Sequence, residues 1–443
     1  MKKLLFYFAI IMLPSALFAM SGSGSQADPW IIQDEDDLVT IMGNDSYWDD
    51  HIEIDLTSGT YLDMSTKTCS AIGSDSDPFT GHFDGKNVEI RNVTINTSSY
   101  YQGLFGYIEY PSTLQNVILK DVDITGDWYV GGLCGYNKGG TISFCSSSGD
   151  VNGTKSIGGI CGINLNHYIG GNPIAIGTIE NCSSSCNIDN EENIAGGLCG
   201  QNDNAIIRNC FSTGRVECGM SWTGTSRAGG FCGWNNGYGT ISGCYSSGNV
   251  IAEGMRAGGF IGFSFRDGAL IENCYSSGNV SGKERVGGFI GDATQAEIKN
   301  CYSTGDAEGE DKVGGFCGMS GRSDFEKCYS TGIPVATSGT IEGGFIGDND
   351  GTCTCNFWNT STSGKNIAVG NGSDDGITGL NNSQFSDQSY FESCYNFEEK
   401  WIMSDSGPVL KALTIPTLTE WAAIGFISLL AIVGGIFIWR KMV

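Results

Sequence analysis

Apolar positions in this chain occur in short runs separated by Gly, and the pattern repeats about every thirty residues. The clearest marker is a double glycine beginning at Gly131, Gly158, Gly196, Gly229, Gly258, Gly287, Gly314 and Gly343, at intervals of 27, 38, 33, 29, 29, 27 and 29 residues. Each unit reads Gly-Gly-apolar-(Cys or Ile)-Gly, a variable loop, Ile-x-(Asn or Gly)-Cys-(Tyr, Phe or Ser)-Ser-(Ser or Thr)-Gly, and a short apolar strand. A degenerate copy begins at Gln102, so nine units run from about 102 to 364.

Each unit contains three short β-prone segments without a 3.6-residue apolar period, which predicts strands and turns rather than helices. One unit cannot bury its own apolar side, whereas a stack of units can. We therefore expect an all-β fold, a parallel β-helix or β-solenoid of about nine coils, with short capping helices. At ~4.8 Å per coil the rod would be about 40 Å long. The longest intervals predict projecting loops at 167–177 and 217–227, and the acidic residues 34–37 predict the first turn of a capping helix.

A backbone corner is predicted between the Ile and the Cys of each unit. Ile271 and Cys274 are three residues apart, so a straight strand would point their side chains to opposite faces. The column between them holds Asn or Gly, residue types that tolerate left-handed backbone angles; its members are Asn181, Asn209, Gly243, Asn273 and Asn300. A corner there would turn both side chains inward. Phe144 and Lys327 interrupt the column, so we expect that the corner is not the same in every coil.

The cysteines form two columns. In the first, Cys134, Cys161, Cys199, Cys232 and Cys317 share their position with Ile261, Ile290 and Ile346, which indicates packing as a small apolar residue. The second is uninterrupted and comprises Cys145, Cys182, Cys210, Cys244, Cys274, Cys301 and Cys328. We expect this structural cysteine ladder to hold stacked thiols, with disulfides as the alternative, because parallel in-register Cβ vectors disfavour the disulfide dihedral.

The bonding of the remaining cysteines stays open at this point; they are Cys69, Cys186, Cys218, Cys353, Cys355 and Cys394. The short spacings Cys353-x-Cys355 and Cys182-x3-Cys186 lack the paired pattern of a zinc site, so no metal centre is predicted.

The two ends of the chain predict export. Residues 1–19 carry Lys2 and Lys3, an apolar run and small residues up to Ala19, the order of a secretory signal peptide. Residues 422–439 are uninterruptedly apolar and are followed by basic residues, which predicts a single transmembrane helix with its basic end in the cytoplasm. The large middle part would then lie outside the membrane.

The composition limits the classes of partner that we expect. The net charge of −25 excludes nucleic acid as an expected partner, because phosphate binding needs Lys and Arg. Sixty-seven glycines together with 40% apolar residues indicate many tight turns around a packed interior.

The repeat GGFCGWNNGYGTISGCYSSGNV at 229–250 resembles the GLUG repeat of bacterial surface proteins, adhesin-like proteins and some secreted peptidases. The flanking segments also resemble those of such arrays, at 27–42 and 79–95 before it and at 355–364, 379–391 and 401–410 after it, where 379–391 is an expected helix. The resemblance implies an N-terminal cap with the first β coils at 27–101, the solenoid at 102–364 and a C-terminal cap at 365–413.

The tail at 415–441 is similar to the IPTL-CTERM sorting signal of Gram-negative bacteria, with the motif at 415–421, the apolar span at 422–439 and the basic tail at 440–441. The residues that carry the likeness are Ile415, Pro416, Thr417, Leu418, Trp421, Arg440 and Lys441, while Ala422 replaces the family's usual Gly. The resemblance implies a transient partner, an exosortase-like membrane protease, and delivery to the cell envelope or surface. A permanent C-terminal anchor is the alternative.

Candidate chemistry is sparse. His51, His82 and His167 are isolated in the sequence, and neither HExxH nor a Gly-x-Ser-x-Gly elbow with a matching acid and His is present. Candidates for the clustered acids and the basic residue of a polysaccharide lyase or hydrolase are Asp267 with Arg266, and Asp306, Glu308, Glu310 and Asp311 near Arg285. Asp348-x-Asp350-Gly351 resembles part of a calcium loop but lacks the later bidentate Glu, so calcium is kept only as an alternative.

Because the units are uniform, the sequence favours a non-enzymatic exported protein, adhesin-like or an extracellular scaffold, with no catalytic, cofactor or metal residues predicted. Its surface ligand, a glycan or a protein, is not specified by the pattern. The alternative is a polysaccharide-active β-helix enzyme that uses clustered carboxylates.

Overall fold

The structure, a computed structural model, describes residues 20–56, 59–220 and 225–411 of the chain. It confirms the predicted fold class at the level of an all-β parallel solenoid of about 10 turns with few helices. The strands stack into three parallel sheets, which we call sheets 1, 2 and 3, and two antiparallel hairpins lie outside them.

Sheet 1 runs the whole length of the solenoid and consists of Trp30–Ile32, His51–Ile54, His82–Asp84, Phe105–Glu109, Thr113–Gln115, Cys134–Lys138, Thr141–Ser143, Cys161–Leu165, Thr178–Glu180, Cys199–Asp203, Ile206–Arg208, Cys232–Asn236, Thr240–Ser242, Ile261–Glu272, Ile290–Lys299, Cys317–Gly321, Asp324–Glu326, Ile346–Asn349, Thr352–Thr354 and Val369–Gly372.

Sheet 2 consists of Tyr61–Asp63, Glu89–Arg91, Thr94–Asn96, Ile118–Thr125, Ser146–Gly153, Ser183–Ser184, Asn187–Asn190, Phe211–Ser212, Val216–Cys218, Tyr245–Ser246, Val250–Ala252, Tyr275–Ser276, Val280–Ser281, Tyr302–Ser303, Ala307–Gly309, Tyr329–Ser330, Pro334–Ala336, Asn356–Asn359 and Ile377–Leu380.

Sheet 3 is shorter and consists of Trp128–Gly131, Lys155–Gly158, Ile194–Gly196, Arg227–Gly229, Arg256–Gly258, Glu284–Gly287, Asp311–Gly314 and Glu342–Gly343. The coils between Trp128 and Gly343 pass through sheet 1, then sheet 2, then sheet 3. Since sheets 1 and 2 start before residue 102 and end after residue 364, the parallel stack extends beyond the predicted repeat region at both ends.

Like residues lie over like residues in successive coils. Ile241 pairs with Ile271 in sheet 1, and Tyr245 pairs with Tyr275 in sheet 2. A file of five stacked phenylalanines fills the core with ring centroids 4.7 to 4.9 Å apart; it comprises Phe231, Phe260, Phe289, Phe316 and Phe345. The double glycine follows from the same stacking, because a Cβ added at Gly259 would lie 2.2 Å from the carbonyl oxygen of Gly288.

The predicted corner is present, and it is present in every unit. Ile271 and Cys274 are both fully buried, and Asn273 between them has φ of 55°. The expectation that Phe144 and Lys327 interrupt the corner is wrong, because their φ angles are 55° and 57°. Stacking imposes one backbone path on all coils, so these two residues take a left-handed conformation that is unfavourable for them by about 1–2 kcal/mol.

The N-terminal end is covered by the helix Glu35–Met42, in agreement with the predicted capping helix. The side chain of Asp34 accepts hydrogen bonds from the backbone N–H groups of Asp36 and Asp37 and so caps the helix, which buries Leu38, Ile41 and Met42. Two short 3₁₀ helices, Asp45–Tyr47 and Met64–Thr66, complete this end.

The C-terminal cap packs against the outer face of sheet 2. It comprises the short helices Thr360–Ser363 and Asn382–Phe385, the 3₁₀ helix Gln388–Tyr390 and the antiparallel hairpin Trp401–Ser404 with Gly407–Leu410. The predicted helix at 379–391 is therefore broken into short pieces. The buried Trp401 contacts Tyr302 and Tyr329, and a disulfide joins Cys355 to Cys394.

The predicted loop at 167–177 forms the antiparallel hairpin His167–Ile169 with Asn172–Ala175, and the predicted loop at 217–227 begins inside a strand of sheet 2. No helix among the described residues is long and apolar enough to span a membrane. The predicted signal peptide, the sorting motif, the transmembrane span and the basic tail lie outside the described residues.

Candidate functional site

The seven cysteines of the ladder lie in successive coils as buried free thiols. The backbone N–H of Cys145 donates to Sγ of Cys182 at 3.4 Å, and the same contact joins Cys182 to Cys210 at 3.3 Å and Cys210 to Cys244 at 3.4 Å. Each thiol also donates to the carbonyl two residues earlier in its own coil, at 3.1 to 3.4 Å. The ladder thus both accepts and donates buried hydrogen bonds.

The residue that ends the ladder has the same bonding pattern. In the coil after Cys328 the position is taken by Asn356, whose Oδ1 accepts the N–H of Cys328 at 2.9 Å. Its Nδ2 donates to the carbonyl of Phe325 at 2.9 Å. At the ladder position both Cys and Asn can accept a backbone N–H from the preceding coil, which Ile could not do.

Burial raises the pKa of several core thiols, whereas hydrogen bonds from neighbouring cysteines, against the effect of burial, lower the pKa of Cys182 and Cys274. Burial raises the pKa of Cys186 to about 11 and that of Cys218 to about 12. It also raises the pKa of Cys145, Cys210 and Cys301 in the ladder, where a neighbouring cysteine adds to the effect. The thiolate is the reactive form of cysteine, so a raised pKa favours packing rather than nucleophilic chemistry at these positions.

The acidic candidates from the sequence are not brought together. Asp267, Asp306, Glu308 and Glu310 are exposed, and Arg266 lies beside Phe265 at a bulge in sheet 1. Asp306 accepts the N–H of Ile333 at 2.8 Å and so holds a turn.

Two further candidates, Asp348 and Arg285, form ion pairs within the stack. Lys312 lies 3.4 Å from Asp348, which also accepts a hydrogen bond from Asn371 at 2.9 Å. Arg285 pairs with Glu284 and Asp292. No group of three or more His, Cys, Asp or Glu residues suited to a metal ion occurs within residues 20–56, 59–220 and 225–411.

Asp292 is the most buried carboxylate in sheets 1 and 3, and the sequence analysis did not identify it. Its Oδ2 lies 2.9 Å from Nε of Arg256 and 2.7 Å from a terminal nitrogen of Arg285. In the preceding coils its position is held by Trp234 and Phe263. The signal that could have found it is an Asp directly after the aromatic Trp234 and Phe263 of the two preceding coils.

The histidines also meet in a way that the sequence did not indicate. His51 and His82 pair in adjacent strands and stack with ring centroids 4.3 Å apart. Nδ1 of His82 lies 2.6 Å from the hydroxyl of Thr113. Burial, with His51 nearby, lowers the pKa of His82.

A cleft of about 750 Å³ opens beside the first coils and is lined by the segments 69–75 and 95–102 and by Asp127. We call it the N-terminal cleft. Sheet 3 begins at Trp128, and a single isolated bridge pairs Val130 of this first strand with Gln102 in the preceding coil. Sheets 1 and 2, in contrast, continue toward the N terminus. The cleft lies where sheet 3 has no further coils among the described residues.

Tyrosine rings form one wall of the N-terminal cleft. Tyr100 stacks on Trp128 with centroids 5.0 Å apart and an interplanar angle of 12°, and Tyr101 stacks on Tyr129 at 5.5 Å and 6°. Nζ of Lys155 lies 4.2 Å from the Trp128 ring. The Tyr100 side chain remains 46% exposed. The signal for this site was the pair of aromatic residues just before the repeats.

Comparison with known proteins supports the repeat assignment. A profile described as "The GLUG motif" matches residues 126–152, 192–217, 224–251, 253–281 and 282–308. A "Putative Gly-rich membrane protein" of Evansella cellulosilytica is 30% identical over 145 residues, which cover 30% of this chain and 16% of that protein. "Halomucin" of Haloquadratum walsbyi is 29% identical over 120 residues, which cover 26% of this chain and 1% of that protein.

The chain thus spans a sixth or less of the length of these curated relatives. A solved structure, "Crystal structure of a putative immunoglobulin A1 protease from Bacteroides ovatus", superposes with a TM-score of 0.40 at 18% identity and covers 88% of this chain and 94% of that one. That degree of similarity carries no functional argument. What the comparisons establish for this chain is an array of GLUG motif repeats.

Proposed function

We propose that this chain is a non-enzymatic, exported protein of the cell envelope or surface, adhesin-like or an extracellular scaffold. The observation that carries the proposal is the uniform stacking of the coils, in which the acidic candidates are spread along the rod or engaged in ion pairs and turns. Repetition of this kind provides an extended rigid surface rather than one reactive centre. The match to the GLUG motif and the glycine-rich membrane protein relative support the same location.

The sorting part of the proposal concerns the C-terminal tail. An exosortase-like protease would cleave near Ile415–Trp421 and release the solenoid from the span at 422–439 to the envelope or surface. Fractionation of the native host with mass spectrometry of the mature C terminus tests this. A fragment ending near the motif and found outside the cell supports sorting, whereas a terminus at Val443 in the inner membrane contradicts it.

The alternative is a glycan-active enzyme, and one observation favours it: the N-terminal cleft contains two carboxylates, Asp75 and Asp127, among aromatic and hydroxyl groups. Incubation of the full chain with neutral and acidic glycans, with and without calcium, followed by product analysis tests this alternative. Release of shorter oligosaccharides that is lost in Asp75→Asn or Asp127→Asn would replace the non-enzymatic proposal.

A further inference from the structure

We propose that the N-terminal cleft binds a neutral oligosaccharide by stacking a sugar ring on Tyr100. The inference deepens the proposed function, on which it rests, by naming the chemical class of the surface ligand. The volume of the N-terminal cleft, about 750 Å³, falls within the range of about 300–1,000 Å³ that is usual for ligand sites.

The geometry of the tyrosine rings points to a ligand that stacks. One face of the Tyr100 ring is covered by Trp128, so an exposed fraction of 46% leaves the opposite face open. The open face of the Tyr100 ring is on the side away from Trp128, toward the coils without sheet 3. Both Tyr100 and Tyr101 line the N-terminal cleft. Aromatic faces carry partial negative charge, and the C–H groups of a pyranose carry partial positive charge, so the two attract each other when stacked.

The walls of the cleft are held in place by backbone hydrogen bonds to the next coil. On one side the N–H of Tyr101 donates to the carbonyl of Trp128 at 2.9 Å, and the N–H of Asp127 donates to the carbonyl of Ser99 at 3.0 Å. On the other side the N–H of Ile72 donates to the carbonyl of Leu104 at 3.0 Å. A preformed site loses little conformational entropy on binding, which favours affinity for a small ligand.

The polar groups match sugar hydroxyls, which both donate and accept hydrogen bonds. The segment 96–99 contributes an amide and three hydroxyls, and Asp75 and Asp127 contribute carboxylates. The hydroxyl of Thr97 donates to Oγ of Ser99 at 3.1 Å, which orients both groups at the edge of the cleft.

Charge selects against acidic sugars. Among the described residues that line the cleft none is Lys, Arg or His, whereas two are Asp. A uronate or sulfated sugar would place its negative charge near these carboxylates without a compensating cation, which is unfavourable. The chemistry therefore fits a neutral hexose, pentose or N-acetylhexosamine oligomer.

The test is a glycan array probed with the full chain, followed by titration calorimetry with cellohexaose, xylohexaose, maltohexaose, chitohexaose and hexagalacturonate. Tyr100→Ala removes the stacking face, and Tyr100→Phe keeps it. Tyr238→Ala is the matched control, because Tyr238 is 72% exposed and lies outside the cleft. Circular dichroism checks that each variant is folded.

We expect binding of at least one neutral oligomer. Its dissociation constant should rise at least about tenfold in Tyr100→Ala and change less than about twofold in Tyr100→Phe and Tyr238→Ala. The proposal is overturned if no neutral oligosaccharide binds, if hexagalacturonate binds better, or if Tyr238→Ala weakens binding as much as Tyr100→Ala.

These outcomes are separable from the fate of the proposed function. A protein found on the cell surface that does not bind neutral glycans removes the ligand assignment and leaves the surface role in place. Cleavage of a bound oligosaccharide, lost in Tyr100→Ala, supports the ligand assignment and removes the non-enzymatic role.

Discussion

Every thiol of the cysteine ladder donates a buried hydrogen bond, Sγ of Cys182, Cys210 and Cys244 also accepts one, and a methyl group can do neither. Sγ of Cys244 accepts the N–H of Cys210 at 3.4 Å and donates to the carbonyl of Ser242 at 3.2 Å. The first column places Cys232 in the same coil at equal burial. There, however, Ile261 occupies the equivalent position of the next coil.

This difference predicts unequal costs for one substitution at two sites. Cys244→Val should lower the free energy of unfolding by about 1–3 kcal/mol, because it leaves the buried N–H of Cys210 unpaired. Cys232→Val should change it by less than about 1.5 kcal/mol, because the equivalent position of the next coil already accommodates the apolar Ile261. Urea denaturation followed by circular dichroism measures both. Equal losses in the two variants would show that the ladder cysteines act by volume alone.

The corner residues show how much could be predicted at this scale. The Asn and Gly residues of the column indicated a left-handed corner and the inward direction of Ile271 and Cys274, and both predictions are confirmed. Phe144 and Lys327 could not be predicted from propensity, because the stacked neighbours determine their backbone angles. The pairing of Asp292 with two arginines likewise depends on side chains from different coils.

At the scale of elements, the C-terminal cap is the part that the repeat does not specify. It covers the tyrosine file on the outside of sheet 2, where the hydroxyl of Tyr329 donates to the carbonyl of Pro408 at 2.5 Å. The disulfide from Cys355 to Cys394 ties the cap to the last coils across 39 residues of chain. The sequence left this pairing open, since Cys355 lies just beyond the ladder and only two residues from another cysteine, Cys353.

We predict that Cys394→Ser loosens the cap and leaves the rod intact. The lost cross-link closes a 39-residue loop, which corresponds to about 3–4 kcal/mol in the chain-entropy description. Hydrogen exchange should therefore become faster in residues 382–411 and stay unchanged in the ladder strands.

Cys353→Ser is the control for that variant, because Cys353 is a free thiol two residues from the bridge. Unchanged protection of residues 382–411 in Cys394→Ser would mean that packing around Trp401, rather than the disulfide, holds the cap in place.

At the scale of the whole molecule, the core contains an unusual number of buried thiols, and burial raises the pKa of several of them. Sixteen free cysteines are found in the described part of the chain, and most of them are buried. In the unfolded chain these thiols have a pKa of about 8.5–9. In the folded chain burial raises the pKa of Cys186 to about 11 and that of Cys218 to about 12.

The sign of the resulting pH dependence follows from proton counting. Above about pH 9 the unfolded chain releases thiol protons that the folded chain retains, so the unfolded state is favoured and stability falls with rising pH. Each such thiol should lower the free energy of unfolding by up to about 1.4 kcal/mol per pH unit until its folded pKa is reached.

Denaturation under reducing conditions at several pH values between about 8 and 10 measures this slope. Cys218→Ala should reduce the slope of the free energy of unfolding against pH by the contribution of one thiol. A flat profile over this range would contradict the burial of protonated thiols. Below the unfolded pKa no such dependence is expected from Cys186 or Cys218, because both states are protonated.

The sequence by itself determined the solenoid, the columns of like residues, the position of the corners and the capping helix at the N terminus. It could do so because in-register stacking turns a period along the chain into neighbours in space, so a repeat can be read as a set of contacts. Only the tertiary structure decided the N-terminal cleft, the stacking of His51 on His82, the two arginines on Asp292 and the bridge to Cys394. These features lie outside the repeat or join side chains of different coils, and no periodicity encodes which of them come together.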